Sequence, residues 1–271
     1  MAYLAVNGVT LYYEWHGPAA AEALVLNNGI FASTAGWALV LPALARRYRV
    51  LAYDMRGQGQ SSHPDAPYTL DLHAADLAAL MRAVGLERAH LVGTSYGGEL
   101  NLVMGLRYPE LCRTLTVITA VAGSGPHLAA TVERWRLAAL AGDGARFFRA
   151  IYADLYSEPY LAANPALAPA GEQRYAAFDL AAGRRLMESF QAFDVRGELA
   201  RITAPTCVVA AELDTLKPRR YSEQIHQAIA GSELHVIPNA GHAVMLERPA
   251  ELTSVILGFL AKHAPAEPAP G

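Results

Sequence analysis

A chain of 271 residues that is 53% apolar and only 17% charged is too apolar to stay disordered and lies near the upper size of a single hydrophobic core. With a net charge of −3 and 22 Lys and Arg scattered along the chain, neither a nucleic-acid nor a charged-membrane partner is expected. One domain carrying an insertion is expected rather than two equal domains.

The start, Met1-Ala2-Tyr3-Leu4, has no basic region followed by an apolar one, and no apolar run reaches the roughly 18 residues of a spanning helix. A cytoplasmic protein without a membrane span is therefore expected. Tyr3 to Val6, Asn7-Gly8 and Thr10 to Trp15 form a hairpin signal around an Asn-Gly turn. Ala23 to Asn27 is almost wholly apolar, as in a strand buried on both faces. It ends at Asn28-Gly29-Ile30-Phe31, and a helix is expected from Ser33-Thr34 through Trp37 to Arg46.

The strand Tyr48 to Tyr53 runs into a polar loop, Asp54-Met55-Arg56-Gly57-Gln58-Gly59-Gln60-Ser61, and a helix from Leu70 to Val84 closes at Gly85. Arg56 reads either as a loop brace through a carboxylate or as a solvated charge. Next come the strand Ala89 to Val92 and a helix ending before Pro109, then the strand Arg113 to Ala120. From 123 to 194 the pattern is helical and rich in Ala, Arg, Tyr and Phe, as expected of a cap on a core made of 1–122 and 195–264.

The strand–helix alternation resumes with Thr206 to Ala210, the helix Arg219 to Ile229, the strand Glu233 to Ile237 and the helix Glu251 to His263. Residues 265–271, rich in Pro and Ala, read as a frayed tail. The fold class is α/β, with a mostly parallel sheet covered on both faces. Cys112 and Cys207 lie in apolar runs, as buried thiols do, so neither a disulfide nor a metal site is expected.

Chemistry concentrates at Gly93-Thr94-Ser95-Tyr96-Gly97, between a strand and a helix. This Gly-x-Ser-x-Gly pattern in that context suits a sharp turn with an exposed serine, although a merely structural Gly-rich turn has the same residues. A serine nucleophile needs a base with a pKa near neutrality. His242, in Asn239-Ala240-Gly241-His242 after the last strand, stands at the same sheet edge as Ser95. Asp214, past the strand that ends at Ala210, is the expected carboxylate partner, with Glu212 as its competitor.

These motifs, with Glu247-Arg248-Pro249, resemble the α/β-hydrolase superfamily over nearly the whole chain. The resemblance implies an α/β-hydrolase fold and a serine hydrolase of carboxylesterase or lactonase type, free of cofactor and metal, acting on a small acyl substrate. The implied triad is Ser95, His242 and Asp214. The dehalogenases and epoxide hydrolases of the superfamily are disfavoured, because they carry aspartate where Ser95 stands.

The N–H of Tyr96 is one expected oxyanion donor, and the resemblance puts the other at Ile30. Asn28 stands where these enzymes usually carry histidine, and it reads first as a loop brace and second as a substrate contact. Among the aromatic residues Trp135, Phe147, Phe148, Tyr152, Tyr156, Tyr160, Phe178, Phe190 and Phe193, two or three are expected to line an acyl pocket. Asn28, Phe31, Trp135 and Phe148 are the substrate contacts expected. Residues 28–37 are also similar to a stretch of 3-hydroxyacyl acyltransferases, which keeps transfer to another acceptor as an alternative. A ligand-sensing module with slow turnover is a third reading.

Overall fold

Why the chain forms this sheet is visible in its strands, whose apolar runs leave no polar face to expose. The computed structural model describes residues 1–263. Chain order gives β1 (Ala2–Val6), β2 (Val9–His16), β3 (Ala23–Asn27), α1 (Leu41–Leu44), β4 (Arg49–Tyr53), α2 (Leu70–Ala83), β5 (Ala89–Thr94) and α3 (Tyr96–Arg107). After β6 (Cys112–Ile118) come five helices: α4 (Pro126–Leu140), α5 (Gly144–Leu155), α6 (Glu158–Ala163), α7 (Leu167–Tyr175) and α8 (Leu180–Gln191). The chain then returns through β7 (Thr206–Ala211), α9 (Arg220–Ala228), β8 (Glu233–Ile237), α10 (Val244–Glu247) and α11 (Pro249–Lys262).

The eight strands pair in the order β1-β2-β4-β3-β5-β6-β7-β8. The β1–β2 hairpin is antiparallel, β2 also runs antiparallel to β4, and every pairing from β4 to β8 is parallel. In β5 and β7 every residue is buried, as strands covered by helices on both faces require. The two apolar layers follow: Leu51, Leu91, Val117 and Val208 belong to one, Val50, Val92, Ile118 and Val209 to the other. Strand order reverses between β3 and β5, so the loops leaving them diverge and open a crevice at their C-terminal ends. That is where open α/β sheets hold ligands.

One expectation needs correction. The helix expected from Ser33 to Arg46 is a single 3₁₀ turn, Thr34–Trp37, followed by the short α1. Pro42 lacks the N–H that would continue the ladder from Ala38, and Gly36 weakens the first turn. The helical insertion falls between β6 and β7, and its two ends meet through an antiparallel bridge between Gly123 and Asp194, with Val195 N–H donating to Ala122 at 2.8 Å. The expected tail, 265–271, lies outside the described residues. No helix among the described residues is long and apolar enough to cross a membrane.

Cys112 and Cys207 are buried free thiols, pushed up to about 12 by desolvation. His73 on α2 and His90 on β5 are buried as well, and desolvation lowers them to about 3 and about 4. Unfolded, both would ionise near 6.5. From about pH 6.5 down to about 4 the unfolded chain therefore binds more protons than the folded one, and stability falls as pH falls. His73→Gln should flatten this acid limb by as much as ~1.4 kcal/mol per pH unit. Urea unfolding of both proteins between pH 4.5 and 7.5 checks this, and parallel curves would contradict it.

Candidate active site

The turn between β5 and α3 is set by glycines whose missing side chains let backbones touch. A Cβ on Gly97 would lie 2.0 Å from the carbonyl oxygen of Asn27, and one on Gly93 would lie 2.1 Å from that of Gly97. Helix α3 thus starts flush against β3 and β5. Ser95, squeezed between them, takes φ 53° and ψ −117°, outside the regions that L-residues populate freely. Its N–H donates to Ile118 at 2.7 Å, and its carbonyl accepts from Gly98 and Glu99, so the strained residue is held on both sides.

Ser95 Oγ stands 2.9 Å from His242 Nε2, and His242 Nδ1 stands 2.8 Å from Asp214 Oδ2. All three side chains are buried. The residues arrive from three strand ends, after β5, β7 and β8. Glu212 is elsewhere, its Oε2 accepting from Asn239 N–H at 2.8 Å, where it braces the turn leading to His242. Asp214 is also fixed by its own loop, since Oδ1 accepts the N–H of Lys217 at 2.7 Å.

The His242 loop is anchored by Glu247. One of its oxygens accepts from Gly241 N–H at 2.9 Å and Ser157 Oγ at 2.5 Å, while the other accepts from Ser157 N–H at 3.0 Å. A buried carboxylate thereby ties the loop bearing His242 to the α5–α6 junction of the insertion. Arg56 is a brace of the same kind: buried, it grips Asp76 on α2 through two bonds of 2.7 and 2.8 Å.

Beside Ser95 opens a cavity with about 310 Å³ of empty space. From the core, Ile30, Ser95, Tyr96, Leu216 and Lys217 line it. The insertion contributes Leu128, Val132, Trp135 and Phe190. Ile30 and Tyr96, the expected oxyanion donors, thus flank Ser95. Tyr96 begins α3, so its N–H has no intrahelical acceptor.

Of the four expected substrate contacts, only Trp135 lines this cavity, its Nε1 satisfied outside it by Asp154 at 2.6 Å. Asn28 is buried under the loops, donating to the Tyr53 carbonyl at 2.9 Å and accepting from Trp37 Nε1 at 2.8 Å, which makes it a brace. Phe31, at φ 61°, packs against Trp135, Phe147 and Phe178, and so supports the lining from behind. Phe148 stacks on Tyr152 and packs at a tilt against Tyr175 inside the insertion, because Gly171 lets its ring sit against α7.

Sequence reasoning missed Lys217 and Glu99. Lys217 Nζ, buried, donates to Glu99 Oε1 at 2.8 Å and to Ser95 Oγ at 3.1 Å. The Glu99 carboxyl also accepts from Val121 N–H at 2.9 Å. Burial pushes this carboxyl up, and the Lys217 charge pulls it partly back. Lys217 follows Asp214 closely and Glu99 follows Ser95 by four residues, one helical turn into α3. The signal available was a lysine beside Asp214 in a chain that otherwise has only Lys262 and uses arginine for its remaining cations.

Comparison with known proteins agrees with the architecture. The family model described as alpha/beta hydrolase fold matches residues 22–249. A relative from Variovorax paradoxus, carrying the provisional name carbamate hydrolase RutD, is 35% identical, with 96% of this chain and 99% of that protein covered. The enol-lactonase from Burkholderia xenovorans is 26% identical with a TM-score of 0.89, covering 96% of this chain and all of that one. A hydrolase from Pseudomonas aeruginosa is 31% identical with a TM-score of 0.88, covering 96% of this chain and 97% of that one.

Because the elbow depends on bare backbone contacts, Gly93→Ala and Gly97→Ala should each destabilise the protein by about 2–4 kcal/mol. Gly85→Ala is a useful comparison, since open space surrounds it and only its φ of 77° opposes the change. Equilibrium unfolding should rank Gly85→Ala as the mildest of the three.

Proposed function

We propose that this chain, which belongs to the α/β-hydrolase-fold family, is a serine hydrolase that cleaves small carboxylic esters or lactones through an acyl-enzyme. The observation that carries the reading is the unbroken line from Asp214 Oδ2 to His242 Nδ1 at 2.8 Å and from His242 Nε2 to Ser95 Oγ at 2.9 Å. Ser95 Oγ attacks the carbonyl carbon as His242 Nε2 takes its proton. Asp214 keeps Nδ1–H directed away from the serine and balances the imidazolium.

The amides of Ile30 and Tyr96 are the donors to the oxyanion. His242 then returns its proton to the leaving oxygen, and water repeats the sequence on the acyl-enzyme. A strained Ser95 suits this role, because fixed geometry spares the reorganisation a flexible serine would need.

The cavity beside Ser95 is small and walled mainly by apolar side chains, which favours short acyl groups. An ester, a lactone and a carbamate present the same carbonyl to Oγ, so the name of the Variovorax relative and that of the Burkholderia enol-lactonase both bear on the choice of assay. Water is the acceptor we assign. An acidic carrier protein would need a cationic face, and four arginines of the insertion are engaged with acids instead: Arg134 with Asp154, Arg136 with Glu133, Arg146 with Asp143 and Arg149 with Glu172. A slow sensor is disfavoured by a serine in hydrogen-bond reach of its base.

Ser95→Ala, His242→Ala and Asp214→Asn should each lower kcat on short-chain esters by ~10⁴-fold or more, while Glu212→Gln changes it less than about threefold. Steady-state hydrolysis of short esters, a lactone and a carbamate by the purified proteins is the measurement. A Ser95→Ala protein retaining most of the wild-type rate would overturn the nucleophile, and equal damage from Glu212→Gln would overturn the acid.

A further inference from the structure

We propose that Lys217 is a specificity-determining residue, whose ammonium binds an oxygen acceptor carried by the acyl part of the substrate close to the scissile carbonyl. The inference rests on the serine-hydrolase reading above and names the substrate class of the same site. An ammonium has three N–H donors. Lys217 directs one to Glu99 Oε1 at 2.8 Å and one to Ser95 Oγ at 3.1 Å, and its Nζ stands 4.8 Å from the centre of the Phe190 ring. Lys217 lines the cavity among Leu128, Val132, Trp135 and Leu216, so a charged donor faces an apolar space.

A buried ion pair is an expensive way to build such a wall. Apolar residues in place of both partners are often as stable or more so. Glu99 keeps the ammonium near the nucleophile at that expense, and Phe190 from α8 supports it on the insertion side.

The reaction itself frees a donor. In the resting site Oγ accepts from Lys217. Once His242 has taken the Oγ proton and Oγ has bonded to the carbonyl carbon, Oγ is an ester oxygen and a much weaker acceptor. The Lys217 N–H that pointed at it is then left without a partner among apolar side chains, which costs free energy. An oxygen on the third or fourth carbon of the acyl group lies within reach of that N–H and restores the bond. A keto, hydroxyl or carboxylate oxygen supplies the same acceptor chemistry, and a plain methylene chain does not.

The test compares methyl butanoate with methyl 3-oxobutanoate, methyl 3-hydroxybutanoate and monomethyl succinate, each rate normalised to the ester's hydrolysis by hydroxide. For the wild type, kcat/KM for at least one oxygen-bearing ester should exceed that for butanoate by about tenfold or more, and the leading ester identifies the acceptor. In Lys217→Met/Glu99→Gln, which removes both charges together, that ratio should fall to within about twofold of one.

A wild-type ratio near one overturns the proposal without any variant. So does a double variant that slows all four esters by the same factor, which is what a merely structural pair or a donor to the oxyanion would give.

Calorimetry on Ser95→Ala separates this proposal from the one it rests on. The acids 3-oxobutanoate, 3-hydroxybutanoate and succinate are titrated against butanoate. At least one should bind about tenfold tighter, a margin that disappears when Lys217→Met/Glu99→Gln is added. If that margin is seen but no ester is hydrolysed by the wild type, the serine mechanism fails and the subsite stands. Equal binding of all four acids overturns the subsite.

Discussion

The close approach of helix α3 to strands β3 and β5 governs the rest of the site. Backbone carbonyls of Asn27 and Gly97 occupy the places where side chains on Gly97 and Gly93 would be. With no room for a Cβ, the first turn of α3 must begin within one residue of the strand's end, and Ser95 is forced into positive φ. Asn101, one and a half turns on, reinforces the contact: its amide donates to the carbonyls of Leu91 and Thr116 and its oxygen accepts from Asn27. Three strands are thereby laced to one helix. The strain at Ser95 persists because this network over-determines it.

From that fixed point the other chain ends are placed by sheet geometry. Parallel strands β3, β5, β7 and β8 all end on the same edge, so the loops carrying Ile30, Ser95, Asp214 and His242 converge without any of them being near in sequence. Each loop then needs only local bonds to hold its residue. Glu212 steadies Asn239, Glu247 steadies Gly241, and the N–H of Lys217 steadies Asp214. Glu212, which looks like a rival acid in the sequence, is in fact a support of the proposed pair.

The fold was legible because near-continuous apolar strands alternate with amphipathic helices, and Gly93, Ser95 and Gly97 mark the sharp turn. Stretches with mixed signals were not: Ser33 to Arg46 has apolar residues at helical spacing, yet Pro42 and Gly36 divide it. Phe148 and Trp135 look alike in sequence, both aromatic and both in the insertion. Which one meets the cavity depends on Gly171, a distant residue that makes room for the Phe148 ring. Asn28 was ambiguous for a related reason, since its partners, Trp37 and the Tyr53 carbonyl, belong to different elements.

Lys217 was hidden by a more general rule. A lysine three residues before a helix in a polar loop reads as solvated, because burying an ammonium is costly unless a partner is waiting. The partner, Glu99, is 118 positions away in sequence, and nothing in the local pattern announces it. What brings them together is the same α3 that strains Ser95: the residue one turn beyond the serine projects its carboxylate beneath the cavity, where the loop after β7 delivers the ammonium. The insertion completes the enclosure through α8, whose Ser189 bonds the Tyr96 hydroxyl at 2.7 Å and whose Phe190 covers Lys217. Helix α8 therefore touches both Tyr96, next to Ser95, and the buried cation. A change in how the insertion sits would reach Ser95 and the Lys217 ammonium together, so the proposed choice of acyl group and the proposed nucleophile depend on the same contacts.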